Sequence, residues 1–110
     1  MGLDSFWMNG EKEAVIEGKF DVCGGLISGH GNSSFRGKVY NNVVEAVTGI
    51  TLYQEEIDPE TIKKMATQLS SQKWTPFFGF DHDIGKEEWH DFVQMFKIHA
   101  EAGHRLCGWW

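Results

Sequence analysis

Ile57-Asp58-Pro59-Glu60-Thr61-Ile62-Lys63-Lys64-Met65-Ala66-Thr67-Gln68-Leu69-Ser70-Ser71 is the stretch from which the fold can be read. Asp58 has the short acceptor side chain that satisfies free N–H groups at a helix start. Pro59 suits the first helical position, where no N–H is needed, and Glu60 complements the positive end of the dipole. Ile57 and Ile62 occupy the two positions of a hydrophobic staple. Ile62, Met65, Ala66 and Leu69 recur at i, i+3, i+4 and i+7, so the spacing predicts a helix with one buried face that ends near Ser70-Ser71.

Two further segments carry the same period. Upstream, Tyr40, Val43, Val44 and Val47 form an apolar stripe, with Ser33 or Ser34 placed to cap it and Gly49 to close it. Its three valines lower helix propensity, so this helix depends on burial. Downstream, residues 86–102 carry Trp89, Phe92, Val93, Phe96 and Ala100 on one face, with Asp83 as a candidate cap and Gly103 as the stop. His99 lies beside that face and is expected to be half-buried.

The chain ends read differently. Residues 3–8 and 105–110 are short and rich in aromatic or apolar side chains, the composition of strands. Asn9-Gly10 is a tight-turn dipeptide, and residues 13–20 read as the second arm of a hairpin, although their alternation is poor. Residues 21–34 are a glycine- and serine-rich loop, and residues 72–85 a loop holding Trp74, Pro76, Phe77, Phe78 and Phe80. The chain should bury part of Trp109 and Trp110, since two exposed indoles forgo several kcal/mol at ~25 cal/mol per Å². The expected fold is one α+β domain over residues 1–110: three helices packed on a small sheet formed by the N- and C-terminal strands.

Composition narrows the function classes. With 110 residues, of which 41% are hydrophobic and 14% aromatic, the chain has the makeup of one folded domain rather than a disordered one. A net charge of −6 lacks the basic footprint of nucleic-acid binding and opposes attachment to an anionic membrane. No apolar run approaches the ~20 residues that span a bilayer, and no secretory leader is visible. Two cysteines, Cys23 and Cys107, fit a reducing, cytoplasmic setting; a bridge between them stays open if the chain ends meet.

The opening Met1-Gly2-Leu3-Asp4, Cys23-Gly24-Gly25, Ser34-Phe35-Arg36-Gly37-Lys38-Val39-Tyr40, Val47-Thr48-Gly49, Leu52-Tyr53-Gln54, Asp58-Pro59-Glu60 and the ending Gly108-Trp109-Trp110 together resemble a family of small uncharacterised bacterial proteins. The resemblance implies an intracellular single domain. It implies no activity, substrate or catalytic residue.

Four constellations could carry chemistry. Arg36 and Lys38 are the only cations between residues 20 and 62, and they lie between the glycine-rich run containing His30 and a predicted helix. Cations at a helix N-terminus oppose its dipole, so an acidic side chain or a bound anion should compensate them. The spacing is not that of a P-loop, because five residues separate Gly31 from Gly37 and Val39 follows Lys38. Asp81, His82, Asp83, His90 and Asp91 match no metal-ligand motif: Lys86 and Phe92 stand where a calcium loop needs glycine and glutamate. Cys23 precedes His30 by seven residues, a pairing that could activate a thiol. Finally, Trp7, Trp74, the loop phenylalanines and Trp109-Trp110 exceed what three helices need, so some should wall a groove or an interface between subunits.

These readings favour a non-enzymatic binding or interaction domain with an aromatic groove, no cofactor and no metal. Its expected contacts are Arg36, Lys38 and His30 for an anion and Tyr53 and Trp74 for apolar surface. The partner would be another protein, a second copy included, or a small anionic ligand. The alternatives are a small enzyme using Cys23 with His30 or a metal on His82 and His90, and an acidic inhibitor or immunity-type protein that covers a basic partner.

Overall fold

A computed structural model describes residues 2–14, 16, 22, 34–75 and 84–110. Its elements run β1 (Asp4–Asn9), β2 (Lys12–Glu13), β3 (Ser34–Phe35), α1 (Gly37–Thr48), α2 (Pro59–Ser71), α3 (Lys86–Glu101) and β4 (Arg105–Trp109). The architecture is α+β, as expected: three helices and a small antiparallel sheet built from the two ends of the chain.

The sheet is organised around β1. Its pairing with β4 runs from Asp4 opposite Trp109 to Met8 opposite Arg105. Met8 also pairs with Glu13 of β2, and Phe6 with Ser34 of β3, so these two short strands share the other edge. The outer edge of β4 is covered by residues 54–57, through the Ile57–Leu106 bridge and a bond from the Gly108 N–H to the Gln54 carbonyl. Alternation along β1 buries Ser5 and Trp7 and leaves Asp4, Phe6 and Met8 half-buried. That period-2 pattern turns one face of the sheet toward the helices.

Trp7 begins a chain of packed rings. It meets Phe96 edge-on at 4.9 Å, Phe35 lies against Phe92 at 5.3 Å, and Tyr40 stacks on Phe92 at 4.3 Å. One ring from each of β1, β3 and α1 and two from α3 thus form one core. Burying each contributes on the order of 4 kcal/mol as an upper estimate. The Tyr40 hydroxyl leaves this core to donate to Glu88 at 2.7 Å.

Each helix is bounded by identifiable chemistry. In α2, Asp58 accepts from the Thr61 N–H at 3.4 Å and the Thr61 hydroxyl at 2.5 Å, with Pro59 at N1. The Thr61 side chain, above all, holds the Asp58 carboxyl below its ordinary value. Ile57 and Ile62 are both buried, as a staple requires. The start of α1 departs from expectation. Arg36 occupies the N-cap position without a side-chain cap, Ser34 belongs to β3, and Ser33 lies outside the described residues. The Leu3 carbonyl accepts instead from the Lys38 N–H at 3.1 Å, so backbone leading into β1 satisfies a donor that needs a cap. Gly37 permits this approach, since a Cβ there would run into Ser5 Oγ and lie 2.8 Å from the Leu3 side chain.

At the end of α1, Gly49 adopts φ 74° as anticipated. Asn41, on the buried side of α1, accepts from the Leu52 N–H at 2.7 Å and the Thr51 hydroxyl at 3.2 Å. That side chain folds the connection back over α1. In α3 the N-cap is Gly85 rather than Asp83, which lies outside the described residues. The C-terminus closes in a Schellman motif: Gly103 has φ 77°, its N–H reaches the Ala100 carbonyl at 3.1 Å, and the His104 N–H reaches the His99 carbonyl at 3.0 Å.

Three other expectations are corrected. Of the arm expected over residues 13–20, Glu13 is strand (in β2, after Lys12), Ala14 and Ile16 are not, and residues 15 and 17–20 lie outside the described residues. Ser34–Phe35, read as loop and helix approach, forms a strand because β1 offers an open edge beside Ser5 and Phe6. His99 is fully buried instead of half-buried.

Candidate functional site

Of the anticipated contacts, Arg36, Lys38, Tyr53 and Trp74 fall among the described residues and His30 does not. Arg36 lies beside Asp4, with Nε 3.9 Å from Oδ1, and its guanidinium sits over Gly2. The compensating charge required at this helix start is thus provided at least partly by β1. Lys38, one position into α1, is exposed. His30 and Cys23 are outside the described residues, as are His82 and the loop phenylalanines Phe77, Phe78 and Phe80. Cys107 carries a free, half-buried thiol. Among the described residues, no group of three or more His, Cys, Asp or Glu side chains converges as a metal site would need.

Tyr53 and Trp74 have different neighbours. Tyr53 meets Trp110 edge-on, ring centroids 5.7 Å apart, at the C-terminal end of the chain. Trp110 is 49% exposed and Trp109 73% exposed, so the terminal indoles are buried in part, as expected. Trp74 comes just after α2 and is half-buried. Its indole N–H donates to the Ile84 carbonyl at 2.6 Å. This bond spans ten residues of sequence and fastens the segment after α2 to the approach to α3.

Trp74 forms one wall of a groove between α2 and α3. The broader part of the groove, about 270 Å³, is bordered by Trp74, Trp89, His90, Val93, Lys86 and Lys97. A second part, about 200 Å³, continues from Ser70 and Lys97 toward Lys63, Thr67 and Glu101, over a floor of Ala66 and Ala100. Ser70 and Lys97 border both parts.

Helical periodicity explains this arrangement. On α2, Lys63, Ala66, Thr67 and Ser70 are related by i, i+3, i+4 and i+7; on α3, Lys86, Trp89, Val93, Lys97 and Ala100 lie along one stripe. The two stripes face the same cleft because each helix turns its adjacent apolar stripe into the core. Ala66 and Ala100 are small enough to leave a depression where longer side chains would fill it.

The electrostatics run against those of the whole chain. Among the described residues, three lysines border the groove, Lys63, Lys86 and Lys97, against one acid, Glu101. Among the described residues, no ion pair joins Lys63, Lys86 or Lys97 to a carboxylate. Lys63 and Lys86 are exposed and Lys97 is half-buried, and their long stems can lie along the apolar floor. Three lysines against one acid leave the cleft net positive, and such a cleft focuses its field and raises the local concentration of counter-charged solutes.

Sequence reasoning expected an aromatic groove and named Trp74, but missed the lysines that border this one. The lysines of α2 and α3 look like ordinary solvated faces in each helix taken alone, and only the packing of one helix against the other brings them together. No protein-family model, curated protein or solved structure matches this chain. Its function must therefore be derived from geometry and chemistry.

Proposed function

We propose that this protein is a binding domain and that the α2–α3 groove is the seat of a negatively charged ligand. The observation that carries this reading is the local reversal of charge. An acidic chain presents Lys63, Lys86 and Lys97 around an apolar, tryptophan-walled cleft. The ligand's apolar portion packs on Trp74 and Val93 while its anionic groups meet the ammonium groups. The hydrogen bond from Trp74 to Ile84 supports this role, because a wall held in place before binding loses little entropy on binding.

The test is titration of the labelled protein with phosphate, citrate and glutamate, following backbone amide shifts and the melting temperature. Binding to the native state raises the melting temperature by mass action. Shifts at Ser70, Trp89 and Lys97 that disappear in Lys97→Ala are the expected result. Anion-induced shifts confined to the Arg36–Lys38 region would move the site to the start of α1.

A second reading concerns self-association. Tyr53, Trp109 and Trp110 are the large hydrophobic side chains left exposed among the described residues, and such side chains are favoured at interfaces. Sedimentation of the wild type and of Trp109→Ser decides it: a dimer lost in the variant supports the reading, and a monomer at high concentration ends it.

A further inference from the structure

Taking the α2–α3 groove as the ligand seat, we infer that its ligand is an acidic polypeptide segment in extended form rather than a small anion. The spacing of charge separates the two. Lys86 and Lys97 lie on one stripe of α3 and are separated by eleven residues, about 16 Å along the axis at 1.5 Å per residue. No single phosphate or carboxylate reaches both. At physiological ionic strength that separation exceeds the Debye length of about 8 Å, so the two ammonium groups act as independent stations. Lys63 joins Lys97 across the cleft at the second station.

An extended chain advances about 3.3 Å per residue, so a segment of roughly six residues spans the two stations. Between them the groove offers what such a segment needs. Val93 and the Trp89 edge form apolar floor, and Gln94 and Ser70 can exchange hydrogen bonds with peptide groups or side chains. Two carboxylates on one segment bind jointly, since the first contact raises the effective concentration of the second.

Net charge makes the test selective. A chain of charge −6 repels polyanions in general, so an acidic peptide that binds must find a local positive site. A fluorescein-labelled hexaglutamate peptide is titrated into the full-length protein by anisotropy and amide shift mapping, beside free glutamate and hexalysine. Hexaglutamate is expected to bind at least about tenfold more tightly than free glutamate. It should shift groove amides from Lys86 to Lys97, and lose about three- to tenfold in affinity in each of Lys86→Ala and Lys97→Ala. Lys86 is exposed and Lys97 half-buried, and unchanged circular dichroism of the variants separates lost binding from lost folding.

If free glutamate shifts the groove amides as strongly as hexaglutamate, the peptide inference is wrong and the anion seat survives. If hexaglutamate binding responds to Lys97→Ala but not to Lys86→Ala, the two-station span is wrong. If neither ligand shifts the groove, the peptide inference and the reading beneath it fall together.

Discussion

His99 and His104 are joined by a 2.8 Å hydrogen bond between their Nδ1 atoms, across the Schellman closure that ends α3. In that motif the two positions usually share an apolar contact; here they share a proton. His99 also stacks on Trp7 at 4.3 Å with the rings within 5° of parallel. The pair therefore ties the end of α3 both to the approach to β4 and to the central strand β1.

The bond requires one nitrogen to donate and the other to accept, so one imidazole must be neutral. Burial disfavours the charged form of His104 and lowers its pKa below the ordinary 6.5. The unfolded chain then binds more protons than the folded one as pH falls below 6.5, and stability falls with it. The contribution is fully present above 6.5 and is lost on acidification toward the lowered value, at up to about 1.4 kcal/mol per pH unit within that window. Urea midpoints measured from pH 7.5 to 5 should show this slope, and His104→Gln should flatten it.

Gly37→Ala should destabilise the fold by about 1–3 kcal/mol, because the added methyl has no room. Its position is occupied by Ser5 and Leu3, and the Leu3 carbonyl is bonded to the first turn of α1. Chemical denaturation checks it. A stability equal to wild type would mean that β1 and α1 are less closely apposed than described.

Asn41→Leu should cost about 1–3 kcal/mol despite gaining apolar surface. The Leu52 N–H would lose its 2.7 Å acceptor in a buried position. Amide exchange at Leu52 should accelerate more than exchange in α3, which distinguishes a local loosening from a global one.

Trp74→Phe tests the groove wall directly. It removes the hydrogen bond to Ile84, a loss of about 1 kcal/mol in stability, while keeping an aromatic ring. Ligand affinity should fall several-fold through loss of the fixed wall. Unchanged affinity for both glutamate and hexaglutamate would remove Trp74 from the site.

The local grammar of the chain was legible without coordinates. The Asp58-Pro59 start, the Gly49 stop, the stripes of all three helices and the strand character of both ends arise from interactions within a few residues, where periodicity and capping chemistry act. The α+β class comes from the same patterns. What sequence distance hides is pairing. Ser34–Phe35 is a strand only because β1 has a free edge, and Arg36 can begin a helix uncapped because the Leu3 carbonyl is there to meet it. His99 and His104, five residues apart, become a buried pair only through the αL turn at Gly103 and the Trp7 ring above them. The groove is the strongest case. Lys63, Lys86 and Lys97 belong to two ordinary polar faces until α2 and α3 pack side by side, and the net positive field among the described residues exists only where charges from separate helices share the same cleft.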